Sequence, residues 1–178
     1  NYDGSSRPGA NLFGNSVVAV DIHTGKLKWY FQTIHHDLWD SDLPAPPVLV
    51  DLKVNGKTVK ALAETGKTAY MYILDRHTGK PVFGVDEVPV AAADVPGEWY
   101  SPTQPIPSKP PAYDRQNVAD DDLVDFTPAA KARAKEIVDQ YQRGEGIFQA
   151  PTMAVYDGKW GTLTLPGAQG GTNWPGGA

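Results

Sequence analysis

No cysteine occurs anywhere in the sequence. That excludes disulfides, thiolate metal centres and a cysteine nucleophile. No apolar run comes near the roughly 20 residues that cross a bilayer as a helix. Positive charge is in deficit: 16 Lys and Arg stand against 21 Asp and Glu, a net charge of −5. No basic footprint therefore invites nucleic acid as a partner. The G-x-S-x-G elbow, H-E-x-x-H and the P-loop are also missing. The chain opens at Asn1 in a turn-rich stretch, without a start methionine or a leader-like segment, and stops at "NWPGGA". Both ends read as cut, so a fragment of a longer protein is expected.

Turn chemistry is plentiful instead. With 18 Gly and 16 Pro in 178 residues, these two types take about a fifth of the chain, against a usual share of roughly 12%. The length allows one domain with a core of ordinary size. Five Trp and eight Tyr need an interior or a binding surface to cover them.

One polar turn occurs twice, as "DIHTGKLKW" from Asp21 and "DRHTGK" from Asp75. Around the first copy the sequence predicts a strand over Ser16–Val20, a turn over 21–25, and a return strand over Leu27–Gln32. Asp bonds its own backbone two residues on, and Gly25 supplies the left-handed conformation that closes such a turn. Around the second, residues 70–74 read as a strand and 81–83 as a short return strand that begins at Pro81 or lies at an edge. Between the copies, 47–54 and Lys57–Thr65 flank Asn55-Gly56, the strongest short hairpin signal. Strands in antiparallel order with a period of about 50 residues fit propeller blades. A β-sandwich with two similar hairpins is the plainer alternative.

Residues 89–126 break the pattern. The stretch "VPGEWYSPTQPIPSKPPAYDRQ" is Pro-rich and reads as a surface excursion that can hardly pair in a sheet. A helix is predicted over 127–142, with Thr127 as cap, Pro128 at the first helical position and Gly144 as terminator. Ala130, Ala134, Ile137, Val138 and Tyr141 form its apolar stripe, and Lys131, Lys135 and Asp139 face water. The acidic run Asp120 to Asp122 fits a solvated surface better than a cation site. Strand character returns over 161–167.

The richest polar cluster is "HHDLWDSD", with His35, His36, Asp37, Trp39, Asp40 and Asp42. Metal chelation is the sharper reading. Yet neighbouring histidines on a strand point to opposite faces, and hydrogen bonding within a Trp-bearing loop is the plainer reading. Lys67 stands ahead of a predicted strand, where an exposed lysine is the default. No catalytic group emerges from the residues alone.

The stretch "RPGANLFGNSVVAVDIHTGKLKWYFQTIHHDLWDSDLPAPPVL" resembles the pyrroloquinoline-quinone (PQQ) dependent dehydrogenases, which include quinoprotein alcohol, methanol and membrane-type glucose dehydrogenases. Ala19-x-Asp21, Thr24-Gly25-Lys26 and Trp29 are similar to their tryptophan-docking repeat. "GKTAYMYILDRHTGKPVFGVDE", "SPTQPIPSKPPAYDRQNV", "DDLVDFTP" and "GGTNWPGGA" continue the likeness in order. The resemblance implies an all-β fold, part of an eight-bladed β-propeller, with about two to three blades in this chain. Residues 1–178 would form one partial propeller domain, with 89–158 a Pro-rich and helical insertion seen in a branch of the family.

The resemblance further implies an oxidoreductase that takes an alcohol or sugar as substrate and passes electrons to a quinone or cytochrome. PQQ and Ca²⁺ are the implied cofactors, with most ligands outside this chain. The setting would be periplasmic or otherwise extracytoplasmic, with membrane association open. Lys67 matches a basic residue that contacts the PQQ quinone oxygens, where an ammonium would stabilise the negative charge of reduction. Asn173 matches a cofactor-contacting Asn, and Trp174 follows it. The family's general base is the Asp of a Gly-Asp-Asn stretch, which here reads Gly9-Ala10-Asn11. No catalytic residue or metal ligand is therefore assigned. A non-catalytic scaffold or binding module stands as the alternative.

Overall fold

The structure is a computed structural model describing residues 3–144, 146–155 and 158–177. Its strands are β1 (Ser16–Val20), β2 (Leu27–Gln32), β3 (Val48–Val54), β4 (Lys57–Thr65), β5 (Met71–Asp75), β6 (Val85–Pro89) and β7 (Thr103–Pro107). Helix α1 spans Pro128–Val138. The sheets are small and antiparallel: β1-β2, β3-β4-β5 and β6-β7.

The repeated turn folds identically in both copies. Asp21 Oδ1 accepts from His23 N, Thr24 N and Thr24 Oγ1 at 3.0–3.1 Å. Asp75 Oδ1 accepts from His77 N, Thr78 N and Thr78 Oγ1 at 2.9–3.1 Å. Gly25 and Gly79 close the turns at φ 68° and 72°. The first turn joins β1 to β2, with Ala19 opposite Trp29. The second leads to a single bridge, Leu74 to Pro81. Asp75 N donates to Lys80 O and Val82 N to Ile73 O, so Pro81 directs its missing N–H away from β5 and is tolerated there. Asn55 and Gly56 both have positive φ, as the tight turn between β3 and β4 requires.

Trp29 links the two copies. A Cβ added to Gly79 would lie 2.5 Å from the Trp29 ring, so the indole rests directly on the second turn's glycine. Trp29 is half-buried against the core rather than fully enclosed. That core gathers Ile34, Leu38 and Trp39 from the β2–β3 loop, Leu62 from β4, and Tyr72 and Leu74 from β5.

The Pro-rich segment pairs after all. β7 contains Pro105 and Pro107, yet runs antiparallel to β6 with Val85 opposite Pro107 and Pro89 opposite Thr103. Ser108 N donates to Gly84 O, and Val90 N donates to Pro102 O. Even-numbered positions thus face β6, while both prolines direct their missing N–H away from the ladder. The hairpin is pinned to the core. Gln104 exchanges two hydrogen bonds with the His35 backbone, and the Tyr72 hydroxyl donates to Pro105 O at 2.9 Å.

Thr127 caps α1 by accepting from Ala130 N. The helix ends at Val138, short of 142, because the following chain turns to bond another segment: Gln142 N donates to Gly161 O, and Leu163 N donates to Gln142 O. The expected strand over 161–167 reduces to that one bridge. Ala134 and Val138 are half-buried and Lys131 and Asp139 exposed, as the periodicity predicts, but Ile137 turns outward at 42% exposure. Asp120 to Asp122 form one turn of 3₁₀ helix, paired to Arg143 and Arg115.

The Trp29–Gly79 contact has a direct test. Trp29→Ala should cost the full-length protein about 1–3 kcal/mol in denaturant unfolding, less than a fully buried tryptophan. Gly79→Ala should cost a comparable amount by driving its methyl into the ring, and the double variant less than the sum of the two, since without the indole that clash is gone.

Candidate functional site

Lys67 sits in the loop between β4 and β5, and β5 is the outer strand of the order β3-β4-β5, bordered beyond only by the single Leu74–Pro81 bridge. Its side chain is 9% exposed. Three oxygens surround the ammonium: Asp40 O at 2.8 Å, Asp40 Oδ2 at 3.0 Å and Asp42 Oδ2 at 2.8 Å. Burial disfavours its charge, but hydrogen bonds to Asp42 and then Asp40 outweigh that and hold its pKa above the ordinary lysine value. The main chain follows suit, with Lys67 N donating to Asp42 O at 3.1 Å.

Two further segments close on this loop. Tyr113 N donates to Ala69 O, its hydroxyl donates to Gly66 O and pairs with Thr172, and Gln116 Nε2 donates to Thr68 O. From the C-terminal side, Gly171 N donates to Lys67 O at 2.9 Å. Gly170, at φ 78°, lies so close over the Lys67 backbone that any side chain there would collide with it. Lys67 is thus held on three sides while its two carboxylate partners remain 35% and 50% exposed.

The other sequence-selected residues reach this place less directly. Asn173 and Trp174 follow Gly171 along the same segment. Asn173 spends its amide locally, donating to Gln169 O and accepting from Trp174 N. Trp174 is 76% exposed. Ala10 is exposed, and its carbonyl accepts from Gln32 Nε2 and His36 N.

The "HHDLWDSD" cluster divides its labour. His35 pairs with Gln32 and Glu87, while His36 is buried and donates from Nδ1 to Gly9 O. Asp37 is buried, which raises its pKa, and accepts from Trp39 N and Ser41 N. This part is loop structure. Asp40 and Asp42 instead form the anionic half of the Lys67 site, and Asp40 adopts a left-handed backbone at φ 61°. Asp is among the few non-glycine residues that adopt this conformation readily. Sequence reading missed this pairing because nothing in the spacing brings Asp40 to Lys67.

An ammonium donates only to oxygen or similar acceptors. Quinone and carboxylate oxygens, which PQQ presents, suit that donor. Among the described residues, no group of three or more His, Asp or Glu side chains is placed to hold a metal ion.

Three residues before Lys67, Glu64 lies on β4 opposite Tyr72, 2% exposed, with Oε2 unpartnered among the described residues. Burial raises its pKa from 4.5 to about 7. A raised carboxyl pKa means the folded state holds its proton longer than the unfolded chain. The contribution of Glu64 to stability should be fullest below about pH 4.5, decline as pH rises towards 7, and level off above. Glu64→Gln should remove that decline from a melting-temperature profile of the full-length protein; an unchanged profile would refute the assignment.

Comparison with known proteins completes the picture. Residues 1–178 match the PQQ family described as glucose/ethanol/alcohol dehydrogenase, beta-propeller domain. The chain is 39% identical over 174 residues to a quinate/shikimate dehydrogenase (quinone) of Acinetobacter baylyi, covering 97% of this chain and 21% of that protein. It is 35% identical over 175 residues to the quinoprotein glucose dehydrogenase of Escherichia coli, covering 98% and 21%. With the glycerol dehydrogenase large subunit of Gluconobacter thailandicus it shares 34% over 168 residues, covering 92% and 22%. The chain spans about a fifth of the length of these relatives. It belongs to the PQQ-dependent quinoprotein dehydrogenase family and forms part of that family's β-propeller domain.

Proposed function

We propose that the whole protein oxidises a hydroxyl group of an alcohol, sugar or cyclic polyol, with Lys67 and Asp40 at its reaction centre. The observation that carries this reading is the buried Lys67 ammonium, bonded to both the carbonyl and the carboxylate of Asp40. The relatives' names, quinate or shikimate, glucose and glycerol dehydrogenase, share hydroxyl oxidation on a polyhydroxylated skeleton.

Each residue has a chemical task. Asp40 is the carboxylate placed to take the proton of the substrate hydroxyl, the role left open at Ala10. Lys67 fixes the orientation of that carboxylate and offers positive charge where negative charge develops. PQQ, when bound, supplies a quinone that accepts two electrons. Asn173 and Trp174 are read as further contacts to it, brought near by the Gly171–Lys67 hydrogen bond. Ca²⁺ would take its ligands from outside this chain, and residues 89–158 would form an insertion on the propeller. A quinone or cytochrome as electron acceptor and an extracytoplasmic setting follow from the family. No helix among the described residues is long and apolar enough to cross a membrane.

Ala10, which lacks a carboxylate at the family's base position, favours the rival reading of a non-catalytic scaffold. Dye reduction by the PQQ-loaded full-length protein separates the two. Asp40→Asn should slow turnover about 10²–10⁴-fold, and Lys67→Ala about 10²–10³-fold. Ala10→Asp should give no gain, because the base is already present. A wild type without turnover on any polyol, or variants indistinguishable from it, would reject the catalytic reading.

A further inference from the structure

An ammonium group has three N–H bonds and no more. At Lys67 all three meet oxygens of this chain: Asp40 O, Asp40 Oδ2 and Asp42 Oδ2. Any further acceptor brought to Nζ has to displace one of them.

The three are unequal. The Asp40 carbonyl is main chain, in a segment fixed by Ser41 N donating to Asp37 and by Asn15 donating to Ser41 O. The Asp40 carboxylate is 35% exposed, whereas that of Asp42 is 50% exposed. Releasing Asp42 takes one side-chain rotation into water, which solvates the carboxylate in full. Releasing either Asp40 oxygen means moving backbone or freeing the more buried carboxylate. Until it leaves, Asp42 also offsets the desolvation of the ammonium.

We propose that Asp42 is a positioning residue that holds the third N–H of Lys67 in place of the cofactor, and that a cofactor oxygen enters by displacing it. The proposal rests on the reading of Lys67 as a cofactor contact. It differs from that reading in assigning Asp42 an opposing effect: it stabilises the empty site and competes with the occupant.

The test is equilibrium titration of the full-length apoprotein with PQQ at fixed Ca²⁺ concentration, followed by tryptophan fluorescence, alongside melting of the apo form. Asp42→Asn should bind PQQ about two- to fivefold more tightly, the scale of a half-exposed ion pair, while the apo form melts earlier. A merely structural lesion would weaken binding and melting together. Asp42→Glu should return the affinity towards wild type. Simple repulsion between Asp42 and an anionic ligand is the competing cause. A repulsion effect does not depend on the Lys67 ammonium, whereas a contact displacement does. In a Lys67→Met background, Asp42→Asn should change nothing. Equal or weaker binding by Asp42→Asn, or a gain that persists without Lys67, would each overturn the proposal. Lys67→Met alone binding PQQ as wild type does would instead overturn the underlying reading of Lys67.

Discussion

A buried ammonium is tolerated only where anions and dipoles replace the water it has lost. Lys67 meets that demand with two aspartates and a carbonyl, all from one short stretch of the β2–β3 loop. The demand shapes the backbone as well. Asp40 takes a left-handed conformation, Asp37 holds the intervening turn through Trp39 N and Ser41 N, and glycines close over the lysine from the C-terminal side. Removing the lysine would leave two carboxylates facing one another. Removing the carboxylates would leave a cation without compensation. The site is therefore a single electrostatic unit, although its parts come from distant points in the sequence.

The scaffold brings those parts together by repetition. Each Asp-to-Gly turn is self-contained, stabilised by the carboxylate of its own first residue. The second turn also presents a glycine surface to the Trp29 indole of the first unit. This contact joins the first hairpin to the turn that follows β5. The β2–β3 loop, which leaves Gln32 and enters Val48, meets the β4–β5 loop through the Lys67 bonds to Asp40 and Asp42. The duplicated turns are thus structural, and the candidate site lies in the loops between strands.

Local features were legible in the sequence because their causes are local. β1, β2 and β4 carry their own β-branched or alternating runs, and both turns carry their own Asp and Gly. Asn55-Gly56 could form little but the turn it forms. Features that depend on a distant partner were not legible. β7 is a strand only because its prolines fall on the parity that faces away from β6, which no Pro-rich composition reveals. α1 stops at Val138 because Gln142 is drawn to residues 161–163. Ile137 faces outward although the stripe includes it, since α1 buries none of its residues fully. For the site, Lys67, Asn173 and Trp174 came from resemblance to a family rather than from physical reasoning. Asp40 and Asp42 were visible as an acidic pair, but their partner lies more than twenty residues away across two strands.

The central claim is that the Lys67 ammonium, shared with Asp40, is where the cofactor is engaged. A crystal structure of the full-length protein loaded with PQQ tests it most directly. Lys67 Nζ should lie about 3 Å from a PQQ oxygen, with the Asp40 hydrogen bonds kept and the Asp42 carboxylate turned to solvent. PQQ bound away from this loop, with Lys67 still holding all three of its oxygens, would contradict the claim.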